Sequence, residues 1–198
     1  IVCLRISIQA FSGILITILA TATSSTHWLA RPHAFSLVLT VIWCHCLDRF
    51  QCKNARTLIY LPLLMLVWVN LHGGYFFGLV LLAFYLIGNV VYSIVGRPDQ
   101  LQQYRIKAKS LLLVLVATVG ICAMNPYGFE ILWFPIRVTS DRFVMDRVRE
   151  FMSPNFHEVL PFKYMLLAAI GMLALSRFPL NLIEAALITL VSYMALYS

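Results

Sequence analysis

Charge is scarce in this chain: Asp, Glu, Lys and Arg make up 12% of its 198 residues, whereas 61% are hydrophobic. A soluble domain averages about 25% charged and about 45–50% apolar residues. A surface facing water could not carry this apolar excess at this size, which excludes an ordinary water-soluble fold. A bilayer removes the constraint.

Other absences narrow the chemistry. The five cysteines, Cys3, Cys44, Cys46, Cys52 and Cys122, form no Cys-x-x-Cys pair and no disulfide-rich spacing. Cys44-His45-Cys46 with Cys52 offers soft ligands to a metal. Two thiols one residue apart on a helix point to different sides, however, so buried apolar cysteines are the plainer reading and no metal site is assigned. There is no Ser–His–Asp order, no Walker loop and no His-Glu-x-x-His pair. The formal charge of +7 is spread between apolar runs without a basic patch, so nucleic acid is not an expected partner. No charged leader precedes the first apolar run, so no signal peptide is expected. The chain opens on Ile1 within hydrophobic sequence and is still apolar from Leu187 to Tyr197. It therefore reads as a fragment of a longer protein that lacks an N-terminal part.

What is present is a series of apolar runs near the length of a spanning helix, roughly 17–25 residues. Seven occur, at about 4–22, 34–50, 57–71, 75–96, 108–124, 162–176 and 180–197. The third and fourth are separated only by Asn70-Leu71-His72-Gly73-Gly74, read as a tight helical hairpin in which the two glycines supply backbone freedom. The expected fold is all-α: one polytopic transmembrane bundle of about seven spans over 1–198. The polar stretch 125–161 would be a long extracytoplasmic loop. Within it Phe129 to Val138, with Trp133, suits a helix lying in the membrane interface.

Alternating spans sort the loops into two sides. One side holds nine basic residues, Arg5, Arg49, Lys53, Arg56, Arg97, Arg105, Lys107, Lys109 and Arg177, against Asp48 and Asp99. The other holds six, Arg31, Arg137, Arg142, Arg147, Arg149 and Lys163, against five acids. The richer side is expected to be cytoplasmic, which puts the 49–56 and 97–109 loops inside a bacterial inner (plasma) membrane. The unusual polar clusters then all fall on the outer face.

Each cluster has a functional and a structural reading. Arg31 and His33 flank Pro32 before a span; they could grip a phosphate or carboxylate, or serve as an interfacial anchor. Asn70 and His72 beside two glycines could face a cavity or merely cap helix ends. Asn125-Pro126-Tyr127-Gly128 is a helix stop. The arginines 137, 142, 147 and 149 could cradle a lipid phosphate or pair with Asp141, Asp146 and Glu150. His157 and Glu158, with Glu150, could act in general base catalysis or hold a divalent cation.

Four motifs carry a resemblance. Arg31-Pro32-His33-Ala34-Phe35-Ser36, Trp68-Val69-Asn70-Leu71-His72-Gly73-Gly74, Asn125-Pro126-Tyr127-Gly128 and Glu150 through Ser153-Pro154 occur in that order. Over roughly residues 25–160 the chain resembles bacterial multipass membrane proteins similar to GT-C glycosyltransferases, such as the dolichyl-phosphate-mannose-type and lipid A aminosugar transferases. The resemblance implies a membrane enzyme that uses a polyprenyl-phosphate-linked sugar at its extracytoplasmic face. Arg31, His33, Asn70, His72, Arg149 and His157 would contact that substrate, and Glu150 is the candidate catalytic residue. The group usually carries an acid in its first outer loop; the loop at 23–33 has none, Phe151 stands where Trp is common and Asn155 where an acid often follows Ser-Pro. A lipid or solute transporter (a flippase) and a non-catalytic membrane scaffold remain as the alternatives.

Overall fold

The computed structural model describes residues 13–23, 33–53, 56–145, 147, 161–175 and 182–197. Every regular element among them is helical: α1 (Gly13–Thr23), α2 (His33–Lys53), a 3₁₀ turn (Arg56–Ile59), α3 (Tyr60–Leu71), α4 (Tyr75–Val95), α5 (Leu101–Cys122), a second 3₁₀ segment (Gly128–Trp133), α6 (Phe134–Ser140), α7 (Arg142–Met145), α8 (Pro161–Leu175) and α9 (Leu182–Tyr197). The all-α expectation is met, and each of the seven apolar runs contains a helix.

The chain divides into two compact units. Ile1–Arg31 and Ser153–Leu180 contribute α1 and α8 to the first. There Thr17 and Thr23 return their hydroxyls to the carbonyls of Gly13 and Leu19, at 2.8 Å each, so neither hydroxyl is left unpaired in an apolar helix. Pro32–Met152 and Asn181–Ser198 form the second, with α2 to α7 and α9.

Within the second unit, α2 to α5 run alternately up and down, as their contacts require. At one end Ser36 of α2 meets His72 after α3, and Asn70 of α3 meets Met124 after α5. At the other end Gln51 of α2 pairs with Asn89 of α4, Lys107 of α5 reaches Gln51, and Tyr92 stacks on Tyr104 at 5.1 Å. The core between them holds Trp43, Leu47, Leu61, Met65, Trp68, Tyr75, Leu82 and Leu111, all fully buried. Trp43 and Trp68 meet edge to face, with ring centres 5.8 Å apart. The outward faces are apolar too: Val41 is 69% and Leu113 72% exposed. Helices apolar on both faces are unsuited to a water-facing surface.

The helix boundaries differ from the expected spans in an informative way. α2 runs on to Lys53, and α5 begins at Leu101 instead of about 108. Residues 101–110 are rich in Gln, Arg, Lys and Ala, strong helix formers, so the polar stretch read as a loop is the first turns of a helix. By length and composition α4 is, among the described residues, the one helix long and apolar enough to cross a membrane by itself, with mean hydropathy 2.1. α3 has 12 residues, whereas α2 carries Asp48, Arg49 and Lys53, and α5 carries Arg105, Lys107 and Lys109.

Lys107, counted with the loop cations, is only 6% exposed. Its Nζ donates to the Gln51 carbonyl at 2.7 Å, in the last turn of α2. Carbonyls there lack intrahelical partners and carry the negative end of the helix dipole, so they suit a cation. Lost hydration lowers the Lys107 pKa, and nearby Cys52 works in the opposite sense. Beside it the Gln51 and Asn89 amides exchange hydrogen bonds at 3.0 and 3.4 Å, which satisfies a fully buried Asn89.

The core makes one sharp demand. A Cβ on Gly78 would lie 2.8 Å from Trp68 Cζ3 and 3.4 Å from Trp43 Cε2. Both rings are rigid and enclosed, so Gly78→Ala should cost about 1–3 kcal/mol through overpacking. A lowered Tm of the protein in detergent checks this, with exposed Gly120→Ala as the control, since its Cβ would meet nothing within 4 Å.

Candidate functional site

The break between α3 and α4 is made by His72, whose backbone turns extended (φ −161°, ψ 146°) while its N–H still donates to the Trp68 carbonyl at 3.1 Å. Gly74 has ordinary helical angles (φ −61°). Backbone freedom is therefore not what requires a glycine there, contrary to the hairpin expectation. The requirement is space: a Cβ on Gly74 would lie 2.6 Å from Ser36 Oγ and 3.0 Å from His72 Nδ1.

These atoms form a junction. The Gly74 backbone N–H donates to His72 Nδ1 at 3.0 Å. A backbone amide can only donate, so Nδ1 must be the unprotonated, accepting nitrogen, and the neutral ring carries its proton on Nε2. Ser36 Oγ lies 2.8 Å from the same Nδ1 and so donates its hydroxyl hydrogen. The Ser36 oxygen in turn accepts from Trp68 Nε1–H at 2.8 Å. One imidazole nitrogen thereby ties the first turn of α2, the last turn of α3 and the start of α4.

The end of α5 joins the same region. Asn70 Nδ2 donates to Leu66 O at 2.8 Å and Met124 O at 3.2 Å, a bridge between α3 and the residues after α5. Asn125 then closes a local turn: its Oδ1 accepts from Tyr127 N–H at 2.7 Å and its Nδ2 donates to the Cys122 carbonyl. Gly128 has φ +55°, a left-handed conformation that glycine adopts without strain. The helix-stop reading of Asn125-Pro126-Tyr127-Gly128 agrees with this geometry. The Tyr75 hydroxyl, at the first position of α4, donates to the Ile131 carbonyl and holds the 3₁₀ segment against the bundle.

Between these elements opens a cleft of about 510 Å³, lined by residues 69–73 with Tyr75, Tyr127, Glu130, Ile131, Phe134 and Arg137. Val69, Leu71, Ile131 and Phe134 make its apolar wall. Glu130 and Arg137 stand 3.9 Å apart with both side chains largely exposed. An ion pair so long and so wet is worth about 0–1 kcal/mol. The cleft thus presents a fork-shaped cation, a carboxylate and a histidine beside apolar surface, which suits a ligand with a charged head and an apolar body.

Of the residues singled out from the sequence, Asn70, His72, Tyr127 and Arg137 are brought together here. His33 opens α2, one turn from Ser36, but its side chain, like Arg31, Arg149, Glu150, His157 and Glu158, lies outside the described residues. On α2, Cys44 is half-buried, His45 exposed and Cys46 buried, and among the described residues no three His, Cys, Asp or Glu side chains gather as metal ligands would. Sequence reasoning missed the parts played by Ser36, Trp68, Tyr75 and Glu130; Arg137, expected among the arginines that could cradle a phosphate, stands beside Glu130. Ser36 and Trp68 do sit inside the first two motifs, which was a usable signal; no spacing rule pairs them with His72.

The junction makes two checkable claims. Ser36→Ala strands the fully buried Trp68 Nε1–H and should cost about 1–3 kcal/mol, read as a fall in Tm. In ¹⁵N spectra at neutral pH, His72 should show a protonated Nε2 and an unprotonated Nδ1; the opposite tautomer would break the junction as described. No protein-family model, curated protein or solved structure matches the chain.

Proposed function

We propose that the chain is the core of a polytopic membrane protein of about seven spans, resembling GT-C glycosyltransferases, in which the cleft receives the phosphate-bearing head of a polyprenyl-phosphate-linked sugar. The observation that supports this most is the convergence in one cleft of two motifs distant in sequence. Asn70 and His72 come from one, and Tyr127 from the other, with Glu130 and Arg137 following it. The cleft lies at the end of the bundle opposite Arg49, Lys53, Arg56, Arg97 and Arg105. By the preference of basic residues for the cytoplasm, the cleft faces outward, from a bacterial inner membrane.

The segment around the cleft suits a membrane surface. Tyr127, Phe129, Trp133 and Phe143 are each more than 60% exposed, and aromatic rings of this kind settle at headgroup depth. Arg147 lies over the Phe143 ring at 3.9 Å, so cation and ring reach the interface together. In this reading Arg137 stabilises the departing lipid phosphate, and His72 contacts the lipid phosphate or the sugar.

Two measurements test it. In a cysteine-free background in intact cells, Tyr127→Cys should react with an impermeant maleimide and Gln102→Cys should not; the reverse pattern would invert the orientation. For chemistry, His72→Asn is informative because an amide oxygen can replace Nδ1 as acceptor for Gly74 N–H without supplying Nε2–H. It should keep Tm within a few degrees while lowering sugar transfer from a polyprenyl-phosphate hexose by about tenfold or more, in the range lost with one transition-state donor. Unchanged transfer would remove His72 from the site.

A further inference from the structure

The cleft holds a cation and an anion side by side, which is an odd arrangement for a site meant to take a phosphate. Arg137 is the guanidinium suited to bidentate phosphate binding. Its partner is Glu130, at 3.9 Å, seven residues earlier and across the junction of the 3₁₀ segment with α6. That distance is at the limit of an ion pair and longer than a charge-assisted hydrogen bond, which runs at about 2.7–2.9 Å. Both side chains are far more exposed than any structural ion pair of the bundle interior would be, at 68% for Arg137 and 76% for Glu130. Such a pair contributes little to folding. Yet both residues line the same cleft as His72 and Asn70.

We infer that Glu130 is a built-in stand-in for the ligand's anion: it stands beside Arg137 on the cleft wall and is displaced when the phosphate of a phosphate ester takes the guanidinium. This rests on the headgroup reading above for the ligand, but not on sugar transfer. A phosphate offers two oxygens to the planar fork where Glu130 offers one distant contact, so the exchange is downhill for Arg137. A neutral amphiphile gains nothing from the exchange, because a ligand without an anion offers Arg137 no replacement for Glu130. Glu130 therefore sets selectivity by competition, at a modest expense in affinity. The displaced carboxylate stays within the cleft, where it can only accept hydrogen bonds and so favours a hydroxyl-bearing group beside the phosphate.

The signs differ between the two partners, and that makes the proposal testable on the whole protein in nanodiscs. The probe is hexyl phosphate, measured calorimetrically, with hexanol and inorganic phosphate as comparison ligands. Glu130→Gln should bind hexyl phosphate about twofold to fivefold more tightly, the release expected from a weak exposed pair. Arg137→Ala should bind about tenfold more weakly. In the Arg137→Ala background, Glu130→Gln should lose most of its gain, because the competition it relieves has gone. Hexyl phosphate binding well above inorganic phosphate identifies a lipid head as the ligand; equal binding of the two identifies free phosphate and still supports the exchange. Weaker or unchanged binding in Glu130→Gln, or a gain that survives without Arg137, overturns it. So does equal binding of hexanol and hexyl phosphate. If the exchange holds and no sugar is transferred, the transferase reading falls alone. Both positions are exposed, so an unchanged Tm should accompany every variant.

Discussion

The arrangement of this bundle depends on a single acceptor atom, Nδ1 of His72. It receives the Gly74 N–H and the Ser36 hydroxyl, and Ser36 in turn receives the indole N–H of a fully buried Trp68. Each donor belongs to a different helix end. Unpaired polar groups in an apolar setting cost several kcal/mol each, so such a chain strongly favours the geometry that pairs them all. The junction therefore determines where α3 stops, how closely α2 approaches and where α4 starts. It also turns the protonated edge of the ring, Nε2–H, away from the junction. His72 therefore belongs both to the junction and to the cleft lining.

The two ends of the bundle use opposite solutions to the same problem. At the cleft end, polar atoms meet in short local turns: Asn125 closes on its own neighbours, and Asn70 bridges to Met124. At the other end, long side chains reach between helices, with Lys107 on the Gln51 carbonyl and the Gln51–Asn89 amide pair. The first arrangement leaves a concave space lined by Gly73 and larger side chains such as His72, Tyr127 and Phe134. The second ties α2, α4 and α5 together through Gln51, Asn89 and Lys107.

Helix positions were legible in the sequence because apolar periodicity and length are strong local signals; α4, expected at 75–96 and found at Tyr75–Val95, is the clearest case. The start of α5 was not, because its first turns are polar and a solvated helix looks like a loop to hydropathy alone. Gly74 was marked correctly and for the wrong reason: its need is the 2.6 Å approach of Ser36 Oγ, a contact across 38 positions of sequence that no local rule contains. Glu130 escaped notice as the neighbour of Arg137 for a related reason. Their spacing of seven residues has no meaning on a loop; it acquires one only when a 3₁₀ segment and α6 place both on one wall.

Tyr75 shows how the apolar and polar halves of the argument meet. Its ring is fully buried in the core, whereas its hydroxyl holds the Ile131 carbonyl at the cleft wall. Ile131 lies between Glu130 and the aromatic residues Trp133 and Phe134, so the tyrosine ties the segment that carries the ion pair to the first turn of the most apolar helix. Movement of that segment would have to break a hydrogen bond whose donor cannot reach water. The wall is thus held from its buried side, whereas on its wet side Glu130 and Arg137 face each other at 3.9 Å. In the proposed exchange, a wall held in this way would let Arg137 change partners without backbone rearrangement, the kind of preorganisation that lowers the cost of binding.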